Sequence, residues 1–163
     1  MTPLHQLTQA MISYDGGDPK RIQHFLKVHS FAKLIGEEEH MDEHELFILE
    51  AAALVHDIGI LPAMRKYDSC EGKLQEKEGV APAKEMLSSL AFAPEVIDRV
   101  CYLVAHHHTY DQVDGLDYRI LLEADALVNL YEDQAPSSAV EASLDRVFRT
   151  KSGADICRRM FFS

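Results

Sequence analysis

The chain has 163 residues and carries 16 lysine and arginine residues against 27 aspartate and glutamate residues, a net charge of −11 with histidine neutral. This length suits a single domain, and so acidic a chain repels nucleic-acid backbones and anionic membrane surfaces, so neither is an expected partner. No signal peptide or membrane span is predicted, and three scattered cysteines without a C-x-x-C motif suit free thiols in the cytoplasm.

Helix signals follow one another along the chain, and no stretch shows the alternation that predicts a strand. Asp18 and Pro19 predict the N-cap and first turn of one helix, and Asp42 with Glu45 three residues later predicts the start of the next. The predicted helices span residues 3–13, 19–36, 43–56, 61–67, 75–90, 94–107, 117–132, 137–149 and 153–161. We therefore expect an all-α fold, a single-domain helical bundle of about seven to nine helices over residues 1–163.

Two polar side chains follow an apolar helix in the segment AAALVHDIGI, residues 51–60. His56 and Asp57 come directly after a run of alanine, leucine and valine that suits a buried helix. Because a buried carboxylate is costly unless it is paired, hydrogen-bonded or bound to a metal, this pair needs a partner from elsewhere in the chain.

Three further places put polar residues on apolar helix faces. His24 lies four residues before a valine and shares its face. The apolar spacing that precedes the run of three histidines turns His107 and His108 inward and leaves the orientation of His106 undefined. Asp125 lies among leucines in RILLEADALVNL, where an isolated carboxylate is unfavourable.

A divalent transition metal would account for all four places together, because imidazole and carboxylate ligands suit iron, manganese, zinc, nickel and cobalt. For each histidine, the alternative is a hydrogen-bonded core residue. For Asp125 on its own, the alternative is a capping role or a pair with an arginine. Periodicity permits an inward His29 as well. Spacing alone does not decide between these alternatives.

The segment HMDEH, residues 40–44, matches the H-x-x-E-H pattern of some zinc proteases. That chemistry needs both histidines on one continuous helix face. Since Asp42 is predicted to cap a helix that starts after it, His40 lies outside that helix, and we do not expect a protease.

The order His24, His56-Asp57 and Asp125 resembles the HD-domain superfamily of metal-dependent phosphohydrolases. HFLKVHSFAKLIG is similar to the first-histidine helix of that family, AAALVHDIG to its central motif and LLEADALVNL to its last helix. The resemblance covers about residues 20–132, and helices within 137–161 follow in the same HD-type domain. It implies that one metal is held by His24, His56, Asp57 and Asp125.

Many family members bind a second metal through further histidines. The resemblance implies four candidates for such a site here, namely His107, His108, His106 and Glu76. Gln75, Glu76 or Glu78 stands where many members have an earlier histidine, and Ile60 replaces the frequent lysine after HDIG. Phosphate-binding cations must therefore come from elsewhere, and the candidates are Arg65, Lys73, Arg21 and Lys27.

The resemblance implies a phosphohydrolase that acts on a small phosphorylated substrate such as a nucleotide, by attack of a metal-bound water with Asp57 as proton acceptor. It implies one or two divalent transition-metal ions as cofactor. The alternatives are a di-iron oxygenase of the HD-domain type and a non-catalytic metal- or ligand-binding module. A homo-oligomer is compatible with the sequence, and Tyr110 with Asp111 would lie at the mouth of the same site.

Overall fold

The computed structural model describes residues 1–162, which form nine helices and no strand. The helices are α1 (Pro3–Tyr14), α2 (Pro19–Glu38), α3 (Glu43–Val55), α4 (Ile60–Tyr67), α5 (Gly72–Ser89), α6 (Pro94–Val104), α7 (Leu116–Glu132), α8 (Ser137–Arg146) and α9 (Lys151–Phe162). The predicted all-α helical fold is confirmed.

Side-chain caps fix the starts of α2 and α3, two of the helices near the site. The Asp18 side chain accepts a hydrogen bond from the Arg21 backbone N–H at the start of α2, at 3.0 Å. Asp42 accepts one from the Glu45 N–H at the start of α3, also at 3.0 Å. Such caps satisfy donors that the first turn leaves unpaired, and both predicted helix starts are confirmed.

Helix α3 is the centre of the bundle. It packs against α1, α2, α6 and α7, and residues 48–55 are all buried. Three consecutive alanines, residues 51–53, let neighbouring helices approach its backbone closely. The segment Glu43–Tyr67 is long and apolar enough to cross a membrane by length and composition alone, but 72% of its most apolar stretch is buried inside the fold. Its apolar character is therefore used in packing.

Two helix boundaries near the site differ from the prediction. Helix α6 ends at Val104, so the three histidines lie in a turn after the helix and not on its last turn. Helix α5 begins at Gly72, three residues earlier than predicted, because the Glu71 side chain caps it. A Cβ atom on Gly72 would lie 2.9 Å from the His108 ring, so glycine allows the two segments to meet.

A second glycine sets the position of the His56-Asp57 turn. A Cβ atom on Gly59 would lie 2.2 Å from the Gln75 carbonyl oxygen and 2.8 Å from the Gly79 nitrogen. Any side chain at this position would therefore push α5 away from the turn that follows α3. Gly59 is required for close packing, since its φ of −75° is open to any residue.

Candidate metal centre

Four side chains converge at the centre of the bundle. His24 comes from α2, His56 and Asp57 come from the turn directly after α3, and Asp125 comes from α7. One ligand atom of each residue lies within 4.8 Å of the others, and all four residues are buried. The structure thus brings together the four residues that the sequence placed at a metal site.

The histidines present their Nε2 atoms to this centre. His56 Nδ1 donates to the Ala53 carbonyl at 2.7 Å, and His107 Nδ1 donates to the Val104 carbonyl at 2.8 Å. A carbonyl only accepts hydrogen bonds, so Nδ1 carries the proton and Nε2 keeps a lone pair in the neutral ring. The Nε2 atoms of His56 and His107 are buried without a hydrogen-bond partner.

His24 is oriented by a carboxylate. Its Nδ1 atom lies 2.7 Å from Glu132 Oε1, while its Nε2 atom lies 3.1 Å from Asp57 Oδ2 and 3.2 Å from Asp125 Oδ1. Donation from Nδ1 to a carboxylate is the usual way in which proteins aim a histidine at a metal ion. His24 is therefore held in the same tautomer as His56.

The two buried carboxylates of the centre carry charge. Burial raises the pKa of Asp125, but the hydrogen bond from His24 and the His56 imidazole, whose Nε2 lies 3.3 Å from Oδ1, outweigh it and hold that pKa well below the usual range. The pKa of Asp57 is also lowered, because the charge of His56 and hydrogen bonds from neighbouring histidines outweigh burial. The centre therefore attracts a cation.

The same contacts act on the histidines in the opposite direction. Burial lowers the pKa of His24, but the hydrogen bonds to Asp125 and Asp57 raise it to about 9. In this state, protons on the imidazoles supply the positive charge that the carboxylates demand. A divalent cation would supply it instead, and the unpartnered Nε2 atom of His56 would gain a partner. The residues present therefore fit a divalent metal.

A second group of ligand atoms adjoins the first and shares Asp57 with it. Asp57, His107 and His108 have ligand atoms within 4.8 Å of one another, and His107 Nε2 lies 3.3 Å from Asp57 Oδ1. The His108 Nε2 atom lies 2.9 Å from Gln75 Oε1, so a cation that bound this atom would replace its hydrogen bond with Gln75. This group lies where a second ion was expected.

Two other candidates for that second ion have different partners. Glu76 accepts hydrogen bonds from the His108 backbone N–H, the Thr109 hydroxyl and the Lys73 ammonium. His106 donates from Nδ1 to the Tyr102 carbonyl and stacks on the Tyr102 ring. Neither residue belongs to a group of ligand atoms within residues 1–162. Glu76 instead holds the histidine turn in place.

A cavity of about 420 Å³ opens onto the metal centre and forms its mouth. Arg21 lies in its wall and donates from Nη1 to Asp57 Oδ2 at 2.9 Å. Its Nε atom is buried without a partner. The remaining residues of the wall are Asp57, Ile60, Cys70, Gln75, His108, Asp125, Asn129 and Asp133.

The other three cations predicted for phosphate lie outside the wall of this cavity. Lys27 pairs with Glu132 at 3.0 Å, and Lys73 contacts Glu76 and Thr109. Arg65 lines a neighbouring cavity of about 260 Å³ between the α1–α2 connection and α4, whose wall shares Arg21 and Ile60 with the mouth. Arg21 is thus the one predicted cation placed at the mouth.

The sequence analysis did not identify three residues that adjoin the site on the last turns of α7 and directly after it. Asn129, Glu132 and Asp133 follow Asp125 by four, seven and eight residues, which places all of them on the same helix face. Glu132 contacts His24, and Asn129 and Asp133 line the mouth. The spacing from Asp125 is a signal that would have found them.

The alternative histidines lie away from the centre. His29 pairs with Glu50 at 3.0 Å. His40 lies in a turn, with φ of 60°, before α3 begins, as the capping role of Asp42 predicted. Neither His40 nor His44 belongs to a group of ligand atoms among residues 1–162.

Comparison with known proteins agrees with this arrangement. The family model of the HD domain matches residues 21–139. A predicted HD superfamily hydrolase from an uncultured Thermotogales bacterium is similar in structure, with a TM-score of 0.63 and 23% identity over 96% of this chain and 82% of that one. Bacillus subtilis YpgQ has a TM-score of 0.63 and 18% identity over 98% of this chain and 89% of its own. Among curated proteins, no sequence matches significantly.

Proposed function

The chain belongs to the HD-domain family, and we propose on that premise that it is a metal-dependent phosphohydrolase acting on a small phosphorylated molecule such as a nucleotide. The observation that carries the proposal is the buried convergence of His24, His56, Asp57 and Asp125 at the base of a cavity that Arg21 also lines. One of the two similar structures described above is named a predicted hydrolase of this superfamily, which supports the same chemistry.

In this proposal, His24, His56, Asp57 and Asp125 hold one divalent transition metal, which is iron, manganese, nickel, cobalt or zinc. A metal ion held there supplies Lewis-acid activation of a phosphate ester and lowers the pKa of water. The orientation of each imidazole by its Nδ1 donor supports the ligand assignment. Asp57, together with His107 and His108, supplies ligand atoms for a second ion beside the first.

Asp57 is the proposed catalytic base. Its pKa is held low, so its carboxylate is charged at neutral pH and accepts hydrogen bonds. Oδ2 contacts His24 and Arg21, while Oδ1 lies toward His107. The carboxylate therefore touches both groups of ligand atoms, where it holds the attacking water and accepts its proton.

Arg21 is the proposed phosphate-binding residue. A guanidinium has five N–H donors, and the contact with Asp57 uses a single Nη1 atom. The side chain is 26% exposed and lines the mouth, so the remaining Nη donors are available to an entering anion. Because the protein has a net charge of −11, such a local cation is needed to attract a phosphorylated substrate.

A second candidate function rests on the group that shares Asp57. Two adjacent groups of ligands also suit a di-iron oxygenase of the HD-domain type, since imidazole and carboxylate bind iron. Oxygen consumption by the iron(II)-loaded protein, with no phosphate release, would favour this function. A non-catalytic binding module would show metal uptake without either activity.

The test is phosphate release from a panel of small phosphate esters by chelator-stripped protein reloaded with manganese, iron(II), nickel, cobalt or zinc. We expect metal-dependent release that falls at least 100-fold in Asp57→Asn and about tenfold or more in Arg21→Ala. Lys84→Ala is the matched control for loss of an exposed cation. Absence of release with every metal and ester would contradict the proposal.

A further inference from the structure

A second cavity adjoins the mouth of the metal centre. It has a volume of about 340 Å³ and lies between α7, α8 and the segment that follows the histidine turn. Asn129 and Asp133 line this cavity and also line the mouth. The two cavities therefore meet along the α7 face that carries Asp125.

The walls of the second cavity differ in character from those of the mouth. Most of the lining is apolar, and the apolar residues are Ala126, Leu130, Ala135, Ala139 and Val147. The Tyr110 ring forms another wall and is 45% exposed. Arg146 is the cation among the lining residues. The cavity thus offers a flat aromatic surface, a small apolar floor and one guanidinium.

The spacing along α7 sets the size of a ligand that would span both cavities. Asn129 follows Asp125 by four residues and Asp133 follows it by eight, which at the helical rise are about 6 Å and 12 Å. A phosphate at Arg21 and Asp125 thus leaves room for an organic group of ordinary metabolite size beyond Asn129. A longer polymer is not required to fill this space.

We propose that the second cavity binds the non-phosphate end of the substrate, with Tyr110, Asn129 and Asp133 as specificity-determining residues. This inference rests on the proposed phosphohydrolase function. The substrate class is a phosphate ester whose carrier has hydroxyl or amine donors next to a flat ring.

Each part of that substrate has a matching group. The Asp133 carboxylate only accepts hydrogen bonds, so it selects hydroxyl or amine donors at the junction of the cavities. Asn129 both donates and accepts there. The Tyr110 ring stacks on a flat ring, and Arg146 donates to ring carbonyl or nitrogen acceptors. Asp133 also disfavours a second anionic group at the junction.

The test compares binding of adenosine 5′-monophosphate and ribose 5-phosphate to the manganese-loaded protein by calorimetry. The probes share a phosphate and hydroxyl groups, and the first one adds a flat ring. We expect adenosine 5′-monophosphate to bind at least tenfold more tightly, and Tyr110→Ala to remove most of that difference. Asp133→Asn weakens binding of both probes, because its anionic acceptor is lost.

Two control variants match the size and charge of these changes. Tyr131→Ala removes an exposed tyrosine of α7 that lies outside both cavities, and Glu141→Gln neutralises an exposed carboxylate of α8. Both controls bind the probes as the unaltered protein does. Phosphate release from both probes is followed in parallel, so that failure of the function and failure of the cavity are separate results.

Equal affinity for the two probes, or affinities that Tyr110→Ala leaves unchanged, overturns the cavity assignment even if phosphate is released. No binding of adenosine 5′-monophosphate overturns it as well. Ring-dependent binding that Tyr110→Ala abolishes supports the cavity assignment. If this binding occurs without phosphate release, the result counts against the phosphohydrolase function and leaves the cavity assignment standing.

Discussion

The Nδ1 atom of His24 on α2 lies 2.7 Å from Oε1 of Glu132 at the end of α7. Glu132 is half-buried and also pairs with Lys27 at 3.0 Å. Its carboxylate therefore fixes the His24 ring so that Nε2 faces Asp57 and Asp125.

Replacement of Glu132 by alanine is expected to weaken metal binding by about 10–100-fold, because His24 loses its orienting partner. Glu132→Gln retains an acceptor oxygen and should cause a smaller loss. The measurement is manganese affinity of chelator-stripped protein. Glu38→Ala, which removes an exposed carboxylate near the end of α2, is the control. Unchanged affinity in Glu132→Ala would contradict the orienting role.

The stability of the metal-free protein should fall as pH rises through the alkaline range. The pKa of His24 is raised to about 9 in the fold from an ordinary value of 6.5. Its stabilising contribution is complete below pH 6.5 and is lost as pH rises through about 9, because the folded state then gives up the extra proton. The pKa of His56 is raised as well, which adds to the same trend.

Thermal unfolding of chelator-stripped protein between pH 6.5 and 9.5 measures this effect. The midpoint should decrease with pH, and the decrease should be smaller in His24→Gln. His29→Gln alters a histidine outside the centre and should leave the slope unchanged. A midpoint that stays constant or rises over this range would count against charged histidines in the metal-free centre.

Loss of the Glu76 carboxylate is expected to loosen the histidine turn. Glu76→Ala removes the acceptor of the His108 N–H and the Thr109 hydroxyl, at a cost of about 1–3 kcal/mol in the free energy of unfolding. Binding at His107 and His108 should weaken more than binding at the first group.

Chemical denaturation and manganese stoichiometry measure the two effects of this change. Glu85→Ala, at an exposed position of the same helix, should alter neither. If Glu76→Ala kept full stability and full metal stoichiometry, Glu76 would not be the anchor of the turn.

Gly59 tolerates no side chain at its contact with α5. Gly59→Ala should lower the free energy of unfolding by about 1–3 kcal/mol or more, because the new Cβ would displace backbone atoms of α5. Gly17→Ala serves as the comparison, since its Cβ meets no atom within 4 Å and its cost is limited to about 1–2 kcal/mol for a φ of +90°. A Gly59→Ala protein as stable as the unaltered protein would contradict the close packing.

Helical periodicity and caps were sufficient to predict the all-α fold. Asp18 and Asp42 cap their helices as expected because capping depends on residues three apart. The end of α6 was not predictable in the same way. The histidines leave the helix because Glu76 and Tyr118 hold their turn through contacts distant in sequence, and local propensity does not encode such contacts.

The candidate site was predicted in part. Convergence of His24, His56, Asp57 and Asp125 was implied by the resemblance of three ordered motifs to the HD-domain superfamily, and the structure brings these residues together. The position of the four predicted phosphate-binding cations relative to the mouth could not be read from the sequence. Arg65 and Lys73 flank the loop between α4 and α5, which is close to the HDIG segment in sequence. Arg21 lines the mouth because α2 packs against α3 and α7, and the sequence does not show this packing.

The most direct test of the metal centre is elemental analysis of chelator-stripped protein after incubation with manganese and removal of free metal. The unaltered protein should retain at least one ion per chain, and Asp125→Asn should retain less than a tenth of that amount while keeping its helical circular dichroism. Asp98→Asn, at an exposed position of α6, should bind as the unaltered protein does. Failure of the unaltered protein to retain manganese, iron(II), nickel, cobalt or zinc would contradict the account, and the four residues would then form a hydrogen-bonded core cluster.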